Sequence, residues 1–269
     1  MWIYQTDYTP KGVIVVIHGA VEHHGRYHWL KEHWLEEGYH VILGDLPGQG
    51  LSNRKRGHID SFEEYLKEVH SWLSEAQSFL LPIFAIGHSM GGLVLVRLLQ
   101  KHTIPLDGVI LSSPALGLRF KPAPPLNVLA KGMNVLMPRL QMSPGLTPNI
   151  ATRNKHIVDS DSNDSLMLQK VSVRWYSELV KAMELAFKEM SEFPDVPLLI
   201  MQGGNDKIVD KQLVKQWFNE YDGTEKMYKE WPGLYHEIFN EPEREQVFRF
   251  CTRFVQMHAQ GFHMSVDQR

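Results

Sequence analysis

With Cys251 as its one cysteine, the chain of 269 residues cannot build an intramolecular disulfide framework, and nothing in it points to an oxidising compartment. The aromatic neighbours Phe248, Phe250 and Phe254 fall at helical spacing around Cys251, which suits a buried, inert thiol better than a nucleophile. Excess positive charge is also missing. The 28 Lys and Arg stand against 31 Asp and Glu, a formal net charge of −3, so no global field gathers a phosphate backbone and nucleic acid is not an expected partner. The short run Arg54, Lys55, Arg56 reads as a solvated loop. No uninterrupted apolar run approaches the roughly 20 residues of a membrane span, and the amino-terminal MWIYQTDYTPKG has neither the basic start nor the apolar stretch of a signal peptide. The cytoplasm is the expected location. What remains is 43 % hydrophobic and 22 % charged, the ordinary balance of a folded globular domain.

Short apolar runs rich in β-branched residues recur along the chain. Residues 13–17, 39–43, 83–86, 109–111 and 198–201 read as strands buried on both faces, and the more polar 226–230 as a further one. Amphipathic stretches alternate with them. The clearest is 61–78, where Phe62, Tyr65, Leu66, Val69, Trp72, Leu73 and Ala76 repeat at helical spacing behind a Ser61/Glu64 capping box. Gly38 ends the helix over 28–37, Asp210 caps 211–220, and Pro242 suits the first turn of the last helix. This alternation predicts an α/β fold with a mostly parallel central sheet and helices on both faces.

The alternation breaks at 114–192, where seven prolines punctuate the first half and residues 164–190 read as helical. This stretch is expected to be a mainly helical cap inserted into a core of 1–113 and 193–259, with 260–269 as a disordered tail. The cap run Leu126, Val128, Leu129, Met133, Val135, Leu136, Met137 suits an acyl tunnel, a contact with a membrane surface, or plain packing on the core.

The chemistry is densest in IFAIGHSMGGLV at 83–94, where a strand runs into Gly87, His88, Ser89, Met90, Gly91 and then a helix. That is the GxSxG nucleophile elbow, whose sharp turn presents the serine hydroxyl clear of the sheet edge. A serine hydroxyl is a weak nucleophile at neutral pH and needs a base, which a carboxylate must orient. Both are expected in loops at the carboxyl ends of later strands. Asp206 lies just beyond the strand 198–201, and His236 just beyond 226–230. Asp210 is better used as a helix cap, and His258 falls near the end of a helix. Two backbone N–H groups should form the oxyanion hole, those of Met90 after the nucleophile and Ala20 in the loop after the first buried strand, with His18 bracing that loop. The histidines His23, His24, His28 and His33 invite a metal reading through the His24/His28 spacing, but neither an HExxH pattern nor a cysteine pair supports it. Neither a metal nor a cofactor is expected, and Gly48, Gln49 and Gly50 match no phosphate-binding fingerprint.

With these motifs placed, the chain resembles the bacterial lysophospholipase and monoacylglycerol lipase group of α/β-hydrolases over nearly its whole length. The matching pieces are HGAVEHHGRY (18–27), GDLPGQGLS (44–52), GHSMGG (87–92), SSPAL (112–116), GGNDKIV (203–209) and LYHEIFNEPER (234–244). The resemblance assigns the same triad and the same oxyanion donors, and it implies monoacyl lipid esters as substrates. Acyl transfer to an alcohol, general carboxylesterase and aminopeptidase activities share the triad and stay open at this point.

Overall fold

The computed structural model describes residues 1–119 and 132–259. In chain order its elements are β1 (Trp2–Tyr4), β2 (Gly12–Ile17), α1 (His28–Glu36), β3 (Tyr39–Leu43), α2 (Glu63–Gln77), β4 (Ile83–His88), α3 (Met90–Lys101) and β5 (Gly108–Ser112). There follow β6 (Gln141–Met142), α4 (Pro148–Ala151), α5 (Lys155–Ser162), β7 (Val171–Ser172), α6 (Val173–Lys188), β8 (Leu198–Gly203), α7 (Lys211–Glu220), β9 (Lys226–Trp231) and α8 (Arg244–Ala259).

Seven strands form one sheet in the order β1-β3-β2-β4-β5-β8-β9. All neighbours run parallel except the β1–β3 pair at one edge. The side-chain period of two explains why the strands read as unbroken apolar runs. Val13, Val15 and Ile17 turn to a layer containing α2, α3, α6 and α7, while Ile14 and Val16 turn to α1 and α8, where Trp34, Phe248 and Phe254 pack. Each such side chain, taken fully out of water, contributes about 1.5–3 kcal/mol.

The chain steps from β2 to β3 on one side and then returns to place β4 on the other side of β2. A reversal of this kind opens a crevice outside the carboxyl ends of the two central strands. Into it project the loop after β2 and the turn after β4.

Several boundaries differ from the sequence reading. Of the expected helix 164–190 only Val173–Lys188 is helical, because the Ser172 hydroxyl caps α6 by accepting from the Trp175 N–H, and Val171–Ser172 pair with β6. The last helix begins at Arg244, two residues beyond Pro242. Glu64 accepts from the Ser61 N–H as expected, but the Ser61 hydroxyl accepts from Glu63 rather than Glu64. Asp210 does cap α7, accepting from Gln212 at 3.0 Å, and Gly38 takes φ +86° behind α1. Among the described residues no helix is long and apolar enough to cross a membrane. Leu126, Val128, Leu129 and the tail 260–269 lie outside the described residues.

Candidate active site

Ser89 sits between β4 and α3 with φ +50° and ψ −116°, a conformation that an L-residue adopts only at a cost of order 1–3 kcal/mol. Its backbone is pinned on both sides. The Ser89 N–H donates to the Ser112 carbonyl at 2.9 Å, and the Ser89 carbonyl accepts from Ala115 at 2.9 Å and Leu93 at 3.1 Å. The two flanking glycines are required by close approach. A Cβ on Gly91 would fall 2.3 Å from the Ile17 carbonyl oxygen, and one on Gly87 would fall 2.7 Å from that of Gly91.

Asp206 lies in the loop after β8 and His236 in the loop after β9. The His236 Nδ1–H donates to Asp206 Oδ2 at 2.8 Å, and both residues are buried. Asp206 is saturated: Oδ2 also accepts from Gln202 Nε2 at 2.8 Å, and Oδ1 accepts from the backbone N–H of Ile208 at 2.8 Å and Val209 at 2.9 Å. Burial alone would raise the Asp206 pKa, but the His236 charge and these donors hold it below the ordinary carboxylate value. For His236 burial works downward, yet the Asp206 carboxylate, then Glu237 and Glu22, carry its pKa above the usual 6.5. Asp210 and His258 stay out of this arrangement: Asp210 caps α7, and His258 packs its ring on Phe254 and lies 3.4 Å from Glu225.

The loop after β2 closes over the elbow. At Gly19 a Cβ would stand 3.2 Å from Ser89 Cβ. His18 braces this loop as expected, since its Nε2 accepts from the Leu46 N–H at 2.9 Å and its Nδ1 therefore carries the proton toward the Gly19 carbonyl at 2.8 Å. Ala20 lines the cavity beside Ser89, and Met90 opens α3, so its N–H is one of the helix's unpaired amino-terminal donors. Ser89 and His236 line one cavity of about 250 Å³, to which Leu146, Thr147, Pro148, Met167 and Leu168 from the chain between β5 and β8 also contribute.

Sequence reasoning missed two features of this cavity. His88 is buried, 4.8 Å from the His236 ring by centroids, and burial together with the His236 charge pushes its pKa down to about 4. Arg26 is buried among three carboxylates, Glu22, Asp161 and Glu237. In the sequence Glu22, Arg26 and Glu237 fall within the matching pieces 18–27 and 234–244, but the i,i+4 pair Glu22/Arg26 reads as a surface pair when its distant partners are unknown. The weighed metal spacing resolves differently: His28 is exposed beside Glu32 at 3.5 Å, while His23, His24 and Asp45 bring ligand atoms within 4.8 Å of one another. Asp45 is already held by His24 Nδ1 and by the His24 and Leu51 N–H groups, and the His24 ring stacks on Trp2 at 3.7 Å.

The family model described as Hydrolase_4, serine aminopeptidase S33, matches residues 8–243. The chain belongs to this family. Within the Hydrolase_4 family it is 52 % identical over 259 residues to phospholipase YtpA of Bacillus subtilis (strain 168), covering 96 % of this chain and all of that protein. It is 30 % identical over 240 residues to human monoglyceride lipase, covering 87 % of this chain and 78 % of the other. Among solved structures, the monoacylglycerol lipase of Paleococcus ferrophilus superimposes with a TM-score of 0.86 at 33 % identity, over 96 % of this chain and 98 % of that one. These matches place the chain in the lysophospholipase and monoacylglycerol lipase group of the α/β-hydrolases.

Proposed function

We propose that the protein hydrolyses the carboxylic ester of monoacyl lipids, lysophospholipid or monoacylglycerol, through an acyl-enzyme on Ser89. The observation that carries this reading is the His236–Asp206 hydrogen bond at 2.8 Å, with the His236 ring and a backbone-strained Ser89 on one cavity. The relatives named as phospholipase and monoglyceride lipase support the substrate class.

In the reaction, His236 takes the Ser89 proton as Oγ attacks the ester carbonyl. Asp206 fixes the ring with its proton on Nδ1 and steadies the imidazolium. The N–H groups of Ala20 and Met90 receive the oxyanion. His236 returns the proton to the leaving alcohol, and water repeats the sequence to release the fatty acid. These steps call on no group beyond the side chains and N–H groups named.

The lipid reaches the site from an interface. Val135 is 78 % and Leu136 83 % exposed, and Met137, Leu140 and Met142 lie exposed nearby in sequence, an apolar run suited to transient contact with a membrane or micelle surface. With a single, buried cysteine the enzyme is suited to the cytoplasm. Turnover of a panel of monoacylglycerols, lysophospholipids, short esters and amino-acid anilides tests the reading. Release of free fatty acid from the monoacyl lipids is expected, and preferential cleavage of anilides would overturn it.

A further inference from the structure

Arg26 uses all five of its N–H donors, and it uses them on three carboxylates from three separate parts of the chain. Nε and Nη2 donate to the two oxygens of Asp161, Nη1 and Nη2 donate to Glu237 at 3.0 and 2.7 Å, and Nη1 also donates to Glu22. The guanidinium and the Glu22 and Asp161 side chains are each about 95 % buried. Each carboxylate then leads to a different part of the catalytic apparatus. Glu22 Oε1 accepts from the N–H of Gly19, the residue before Ala20, and from the Tyr27 hydroxyl at 2.8 Å. Glu237 follows His236 directly in the chain. Asp161 belongs to α5, in the insertion between β5 and β8.

Two backbone contacts reinforce the same connections. The Leu168 N–H reaches from the insertion to the carbonyl of Val21, which takes φ +62°, at 2.9 Å, and the Glu237 N–H donates to Ala151 in α4 at 2.9 Å.

We propose that Arg26 is a positioning residue which couples the docking of the α5 cap segment, through Asp161, to the placement of the oxyanion loop and of the His236 loop. The coupling rests on the esterase reading above. Asp161, carried on α5, fixes the plane of the guanidinium, so that without it Arg26 keeps two partners and the Glu22 brace on Gly19 is free to relax. The complete fork thereby holds the Ala20 N–H in place. Because these contacts place groups that act on the transition state, their loss appears in kcat rather than in KM. Only a planar fork with five donors can hold three carboxylates in this way; an ammonium has three donors and no plane.

The test is a double-mutant cycle on the full chain with a soluble short-chain ester. Asp161→Asn is expected to lower kcat about tenfold with KM within twofold, and Asp161→Glu to recover part of the loss. Arg26→Lys should lose at least as much, and Arg26→Lys with Asp161→Asn should be no worse than Arg26→Lys alone. Independent, multiplying losses, or a parent-like kcat in Asp161→Asn, would overturn the coupling. If Arg26→Lys does not fold, the Asn/Glu pair at residue 161 decides the matter by the same criterion, with thermal unfolding as the control for a merely structural effect. Failure of the esterase reading is distinguishable, because the parent would then leave the ester intact.

Discussion

Replacing Asp206 by Asn would change one atom and is expected to remove nearly all turnover. Four hydrogens point at this carboxylate, from His236 Nδ1, Gln202 Nε2 and the N–H groups of Ile208 and Val209. An amide has one acceptor oxygen and two donor hydrogens. The Ile208 and Val209 N–H groups are fixed by the loop, so the amide oxygen stays with them and the NH₂ faces His236. The ring answers by offering Nδ1 as an acceptor and moving its proton to Nε2, the atom that must take the proton of Ser89. A loss of about 10⁴-fold in kcat, roughly 5.5 kcal/mol of barrier, is expected from that tautomer. KM should move only a few-fold, because Asp206 stands behind His236 and does not line the Ser89 cavity. The assay is hydrolysis of p-nitrophenyl butyrate at saturating substrate, with folding checked by circular dichroism. A folded Asp206→Asn variant within tenfold of the parent kcat would refute the reasoning.

Since the His236 pKa lies above 6.5, kcat/KM should rise with pH through a midpoint above 6.5, and that midpoint should fall in Asp206→Asn. The same group acts on stability in the opposite sense: its contribution is complete below about pH 6.5 and is lost as pH rises through the folded-state value, a trend that chemical denaturation at pH 6 and pH 8 would detect. Gly91→Ala should destabilise the fold by about 1–3 kcal/mol, because the added Cβ meets two β2-end carbonyls, those of Ile17 and His18, which cannot retreat without loosening the sheet; thermal unfolding reads it directly. Burial pushes the Cys251 thiol well above its ordinary range, so a thiol reagent should find no reactive group in the native protein and one after guanidinium unfolding. Val135→Ser with Leu136→Ser should reduce turnover of vesicle-presented lipid several-fold and leave soluble short esters unchanged.

The sheet was legible because its strands are buried on both faces, so that β2 and β3 stand out as unbroken apolar runs. β1 escaped notice: three half-exposed residues carry no periodicity, and only the antiparallel pairing with β3 holds them. β9 read weakly for a related reason, since this edge strand alternates Lys, Tyr and Glu with Met, Lys and Trp, and its residues are half-buried or exposed. Ser89, Asp206 and His236 could each be proposed from the chain because each sits a short distance beyond a strand, and strand ends are visible. The Arg26 group has no such anchor. Two of its three partners, Asp161 and Glu237, lie 135 and 211 residues away, so the linear chain shows Arg26 as one half of an i,i+4 pair and not as the centre of a buried cluster. Local pattern reports what one segment buries, and a cluster assembled from three segments is set by tertiary packing alone.

The central claim is that the hydroxyl at residue 89 forms the covalent intermediate. Treating the protein with a fluorophosphonate and mapping the adduct by peptide mass spectrometry tests this most directly. A single stoichiometric adduct on the peptide carrying Ser89, abolished in Ser89→Ala and slowed in His236→Ala, is the predicted result. An adduct on another residue with full loss of activity, or undiminished ester turnover in Ser89→Ala, would contradict it.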